Sequence, residues 1–308
     1  MQLPYDLRAV EGTLLFHAGE AITPRRLKAL TKTPAPIRMM RIGETSLFAD
    51  LQRVFQDKRY ATILSPEQIN RDIIRHVRAV SLPEPIIKEL RRIKRLIPYT
   101  YRHILRTAVL STKLCLDAHN RRTYDPGFMA RLSLVHDLGK SRIPVEILDK
   151  ETPLTATEFA ILKTHPLIGY ILLHYYCGKD HHQYDFASYE HHERLDGSGY
   201  PRHLRKIEKY SQVIAVVDVL DALISSRPYR KEPYTMRAAL DHLLDEADAG
   251  KLNRAMVLLL IAQARKTKPS PRTLRISREK RDAPPRENMY GKFLQGTPDS
   301  LTQKSAHA

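Results

Sequence analysis

The sequence predicts a mainly α fold, an all-helical bundle preceded by a small α+β region at the N-terminus. Three observations carry that expectation. Only 12 of the 308 residues are glycine. From about residue 66 onward, apolar residues recur at intervals of three and four, the period of one helix face. Before that point, glycine and proline cut the chain into pieces too short for long helices. A hydrophobic share of 42% belongs to a globular chain and not to a disordered one.

Residues 1–85 are expected to form a small regulatory or interaction domain. Thr13-Leu14-Leu15-Phe16 reads as a short strand, and Gly12, Gly19, Pro24, Pro34, Pro36 and Gly43 read as turns. Helical pieces fit near residues 23–30 and 47–55. Neither a nucleotide-binding glycine loop nor the acidic cluster of a phospho-acceptor receiver domain is present.

Residues 86–264 carry the helical pattern and the chemistry. Ile86, Leu90, Ile93 and Ile97 make one apolar stripe, with Lys88, Arg91, Arg92, Lys94 and Arg95 on the opposite face. Pro98 interrupts that helix and suits the first turn of the next. His103 lies there in line with Leu110 and Leu114, so it is either a hydrogen-bonded core residue or a ligand. A further helix is expected over residues 131–140, with His136 and Asp137 near its end and Lys140 one turn on. Helical neighbours diverge by about 100°, so this pair suits two adjacent cations better than one. A helix-end salt bridge between Asp137 and Lys140 is the structural alternative.

Thr155 and Glu158 have the spacing of a reciprocal helix cap, and that helix is expected to deliver His165 just before Pro166. His191-His192 then runs into a glycine-punctuated turn closed by Gly199-Tyr200-Pro201. Paired histidines are common in solvated loops, which is how His181-His182 reads; the glycine turn sets the pair at 191 apart. Asp218 sits inside the apolar run 213–224, where an unpartnered carboxylate is costly. Asp221, one turn on, suits an orienting hydrogen bond to a ligand or a role in helix packing. Arg227 and Arg230 offer two guanidinium groups suited to phosphate. From residue 265 to 308 the chain becomes a basic tail without any base-reading module.

Lysine and arginine outnumber aspartate and glutamate 51 to 34, a formal charge of +17. That balance favours polyanionic partners, although a merely basic surface fits equally well. No apolar run is long enough to span a membrane, and the N-terminus lacks the pattern of a signal peptide. Cys115 and Cys177 stand far apart, as reduced thiols of a cytoplasmic protein do.

Taken as an ordered series, His136-Asp137-Leu138-Gly139-Lys140, His165, His191-His192-Glu193, Gly199-Tyr200-Pro201 and Asp218-x-x-Asp221-Ala222-Leu223 resemble the HD-GYP family of cyclic di-GMP phosphodiesterases. The resemblance runs from about residue 98 to 262. It implies a helical HD-domain bundle and a metal site made of His103, His136, Asp137, His165, His191, His192 and Asp218. It places Lys140, Tyr200, Arg227 and Arg230 on the substrate side, with Asp137 and Lys140 as the catalytic pair. Where three-metal members carry a glutamate four residues before the first histidine, this chain has Tyr99. Two divalent ions are therefore expected, iron by preference and manganese as the other candidate. The segment between Pro201 and Asp218 is about two residues shorter than the family pattern, which bears on the pocket wall. The implied reaction is hydrolysis of cyclic di-GMP to pGpG or GMP by a hydroxide activated between two metals. A sensor that binds the nucleotide and signals to a protein partner through the N-terminal domain is the first alternative. Hydrolysis of another phosphoester is the second.

Overall fold

The computed structural model describes residues 1–32, 38–64, 67–118, 123–228, 232–265, 273–276, 279, 282 and 284–285. Arg230, His119 and nearly all of the tail from residue 265 lie outside them. Two small antiparallel sheets belong to the N-terminal third: β1 (Leu7–Arg8) with β2 (Leu14–Phe16), and β3 (Met39–Arg41) with β4 (Ser81–Pro83), Met40 facing Leu82. Around them lie α1 (Pro24–Leu30), α2 (Ser46–Val54) and α3 (Glu67–Ala79). The Thr23 hydroxyl caps α1 by accepting from the Arg26 amide, and Pro24 opens it, as the short helix expected there requires.

The bundle follows as α4 (Glu84–Leu96), α5 (Pro98–Asp117), α6 (Pro126–Val135), α7 (Val145–Leu148), α8 (Ala156–Leu162), α9 (His165–Cys177), α10 (Asp185–Glu190), α11 (Lys209–Ile224), α12 (Met236–Asp248) and α13 (Arg254–Ala264). α5 and α11 form its centre. Every residue of α11 from Val213 to Ile224 is buried, as are most of those of α5 between Thr100 and Cys115. A helix that is apolar all round has to be enclosed by others, and α4, α6, α12 and α13 contribute to that enclosure. Thr155 and Glu158 cap α8 reciprocally, as their spacing predicts.

One hydrophobic cluster joins the N-terminal third to the bundle, running from Leu3 to Ile261. Buried polar ties reinforce the join. The Val10 amide donates to the Tyr176 hydroxyl, which donates to Glu89, and Arg142 grips the same carboxylate through both terminal nitrogens. Glu89 has no exposed surface, so a charge there depends on that pairing.

Two helix boundaries differ from the sequence expectation, and both matter to the site. The helix carrying His136 ends at Val135, with His136 as its cap. Residues 138–142 continue as a 3-10 helix. The 3-10 turn lies close against α9: a Cβ on Gly139 would lie 2.0 Å from the His165 carbonyl oxygen and 2.6 Å from the Gly169 nitrogen. His165 does not close α8, which stops at Leu162; it opens α9, with Pro166 in the first turn where its missing N–H costs nothing.

Candidate metal centre

Four helices and two turns converge on one buried cluster. His103 comes from α5, His136 from the cap of α6, Asp137 from the start of the 3-10 turn, and His165 from the first residue of α9. His191 and His192 follow α10, and Asp218 lies in mid-α11. His103, His136, Asp137, His165 and His191 are each at most 1% exposed.

Backbone carbonyls set the proton positions on three rings. The Nδ1 atom of His136 donates to the Ser133 carbonyl at 2.7 Å, that of His165 to Leu162 at 2.7 Å, and that of His191 to Ser188 at 2.8 Å. A carbonyl only accepts, so each Nδ1 carries a proton and each ring turns Nε2 inward. Burial disfavours the charged ring, holding the pKa of His136 down to about 3 and that of His165 to about 4. The Nε2 atoms of His165 and His191 face each other at 3.3 Å, with Asp137 Oδ1 at 3.3 and 3.5 Å from them. Asp137 Oδ1 and His136 Nε2 are buried and have no hydrogen-bond partner. Electron pairs meeting without a proton between them repel; a cation at their centre satisfies all of them at once.

The ligand atoms sort into two groups, each with its members within 4.8 Å of one another: Asp137, His165, His191 and His192, and then His103, His136 and Asp218. Asp137 faces both. Its Oδ1 points to the first group, whereas Oδ2 lies 3.6 Å from His136 Nε2 and 3.7 Å from His103 Nε2. Burial opposes its charge, but Lys140 Nζ at 2.7 Å and the surrounding imidazoles outweigh that and hold its pKa well below the carboxylate range. The donor set, five imidazoles and two carboxylates, fits a pair of divalent cations.

Asp221 performs the orienting role expected of it, accepting from His103 Nδ1 at 2.6 Å and leaving Nε2 at 2.8 Å from Asp218 Oδ1. Burial works against a charged His103, yet these two carboxylates raise its pKa. A cation held by His103 would take the place of that Nε2 proton, coupling metal loading to proton release. Asp221 is itself held by residues without a signature in the sequence. The Tyr60 hydroxyl from the N-terminal third donates to its Oδ1, the Ser225 hydroxyl lies 3.0 Å away, and Arg106 approaches from α5.

Above the cluster opens a cavity of about 310 Å³ into which Lys140, His165, His192, Tyr200, Asp218 and Arg227 project. Leu148, Phe159 and Leu162 form its apolar wall. The Tyr200 ring stacks on His192 at 4.7 Å between centroids. Gly199 permits the turn that brings it there, since a Cβ would lie 2.3 Å from the Arg194 nitrogen. Glu193 clamps the same turn by accepting from the Arg202 and Leu204 amides. Tyr99 donates its hydroxyl proton to the Leu148 carbonyl and lines the cavity. The phenol at the glutamate position is thus turned to a backbone oxygen. His174, His181, His182 and His203 stand outside both groups; His174 and His181 stack on each other beside Asp185.

The chain is similar to known proteins over its helical part. A family model described as an HD domain matches residues 81–256, more than half of the chain. Over 120 residues the chain is 44% identical to the cyclic di-GMP phosphodiesterase response regulator RpfG of Xanthomonas campestris pv. campestris, covering 38% of this chain and 31% of that protein. It is 36% identical over 155 residues to a cyclic di-GMP phosphodiesterase of Thermotoga maritima, covering 50% and 41%. It is 37% identical over 122 residues to the 3'3'-cGAMP-specific phosphodiesterase 1 of Vibrio cholerae serotype O1, covering 39% and 28%. The matched segments thus span less than half the length of each of these relatives. The chain belongs to the HD-domain family, and its His136-Asp137 pair and Gly199-Tyr200-Pro201 turn carry its resemblance to the HD-GYP branch.

Proposed function

We propose that this chain is a metal-dependent phosphodiesterase that hydrolyses cyclic di-GMP to pGpG or GMP. The observation that carries the reading is the carboxylate of Asp137, set between two groups of inward-facing imidazole and carboxylate ligand atoms beneath a cavity of about 310 Å³. Metal-ligand positions are His103, His136, Asp137, His165, His191, His192 and Asp218, and they would hold two divalent ions, iron or manganese. Such ions supply Lewis-acid charge and a water whose pKa is brought toward neutrality. The remaining work falls to the protein. Lys140, salt-bridged to Asp137 at 2.7 Å and lining the cavity, is placed to balance charge that builds on phosphoryl oxygens. Tyr200 and Arg227 position the nucleotide, and the sequence pattern adds Arg230. The apolar wall keeps bulk water away from the phosphorus, which strengthens each of these contacts.

The relatives named as cyclic di-GMP phosphodiesterases support this substrate. The cGAMP-specific relative favours a second reading, in which a hybrid cyclic dinucleotide is hydrolysed by the same residues. In either case residues 1–85 are proposed as the regulatory or interaction domain, through which a protein partner would act, and residues 265–308 as a basic tail. Among the described residues no helix is long and apolar enough to cross a membrane.

The test combines elemental analysis of anaerobically purified protein with turnover of cyclic di-GMP, 3'3'-cGAMP and linear pGpG. About two metals per chain and product from cyclic di-GMP are expected, with Asp137→Ala losing both. Full metal content with no turnover of any substrate overturns the hydrolase reading in favour of a sensor.

A further inference from the structure

A second cavity, of about 280 Å³, adjoins the first across the Tyr99–Arg227 pair, which lines both. Four guanidinium groups reach its wall: Arg59 from the N-terminal third, Arg102 and Arg106 from α5, and Arg227. Ser225 and Ser226 add hydroxyls, and no carboxylate lines it among the described residues. Asp57 neutralises part of the charge from behind, pairing with Arg59 at 2.6 Å and with Arg106 at 3.2 Å. Arg106 and Arg59 are further fixed by the Ser225 hydroxyl at 3.1 and 3.2 Å. Arg102 has no carboxylate partner among the described residues; its surroundings are partial burial and the like charges of Arg106 and Arg59, which push its pKa down. Crowded guanidinium groups repel each other, but Arg59 and Arg106 are held in place by their pairing with Asp57 and by the Ser225 hydroxyl. This is a preorganised cationic cup.

We propose that this cup is a phosphate-binding site, distinct from the metal centre, that takes the phosphate group of a nucleotide. Guanidinium forks match phosphate oxygens in pairs, and the Ser226 hydroxyl on the cavity wall supplies a further donor. The shared Tyr99–Arg227 wall places the site where a nucleotide engaged at the metals extends a second phosphate. A separate phosphorylated effector would use the same chemistry. Because Arg59 lies before residue 81, where the HD-domain match begins, the N-terminal third contributes to ligand recognition.

The cavity is argued independently of the hydrolase reading; only the choice between the two sources rests on it. The decisive variant is Arg102→Glu, an exposed position whose reversal places a carboxylate among Arg59 and Arg106; Arg102→Gln serves as the milder companion. Calorimetric titration of the full-length, metal-loaded protein with inorganic phosphate is expected to show affinity falling roughly tenfold or more in Arg102→Glu, the loss of one or two charge-assisted contacts. Metal content and melting temperature should stay at the parent values. A parallel rise in KM for cyclic di-GMP at constant kcat assigns the site to the second phosphate of the substrate. Unchanged KM with weakened phosphate binding assigns it to a separate effector. Phosphate affinity equal to the parent in both folded variants overturns the proposal, even if the protein hydrolyses cyclic di-GMP. Failure to hydrolyse any dinucleotide, with the phosphate effect intact, would count against the hydrolase reading alone.

Discussion

Gly139→Ala tests the architecture of the metal centre without touching a ligand. The added Cβ would sit 2.0 Å from the His165 carbonyl oxygen and 2.6 Å from the Gly169 nitrogen. The first distance is about 1.4 Å short of ordinary van der Waals contact, and both opposing atoms are backbone. No side chain can rotate away, so the 3-10 turn and α9 must separate. Overpacking of this kind costs about 3 kcal/mol, the upper end of the usual range, because the strain falls on two helices at once. For a chain of this size that lowers the melting temperature by roughly 5–10 °C. The same displacement pulls His165 away from Asp137 Oδ1, now 3.3 Å from it, while His103, His136 and Asp218 on α5, α6 and α11 keep their places. Elemental analysis should therefore fall from about two metals per chain toward about one, with turnover lost. Differential scanning calorimetry and metal analysis on one preparation decide the matter. A melting temperature within a degree of the parent, with full metal content, would refute the account of why glycine stands here.

Two further outcomes follow from contacts at the centre. Lys140→Ala should retain metal but lose about 10²–10³-fold in kcat, the usual loss when one donor to a developing oxyanion is removed; unchanged kinetics would deny Lys140 its phosphate role. Tyr60→Phe removes one of the donors to Asp221, leaving the Ser225 hydroxyl and Arg106 in place. Its cost should be about 1 kcal/mol, read as a several-fold loss of metal affinity in a chelator competition. Equal affinity in the two proteins would mean that the phenol only fills space.

The sequence by itself determined the helical class; with the family resemblance it also supplied the candidate ligands and the expectation of two ions in place of three. Those properties are local: an apolar period, a carboxylate within an apolar helix, a histidine pair against a glycine turn, a phenol where a glutamate is usual. Asp221 was legible for the same reason, since a carboxylate one turn from a ligand on the same helix has few other uses. What the tertiary structure alone decided is how distant segments meet. Periodicity carries α6 on through Asp137, because Leu138 continues the apolar run, and nothing local announces that Gly139 must lie against the His165 carbonyl. The turn that follows α6 packs at that contact across 26 residues. Tyr60 and Arg59 look like ordinary residues of a short turn. Their roles exist only because the N-terminal third packs against the open end of α11, beside Asp221 and Ser225. Ligand identity is a property of side-chain chemistry and can be read along the chain. Ligand orientation and the cationic cup depend on which chain segments share a wall, and that is decided by packing.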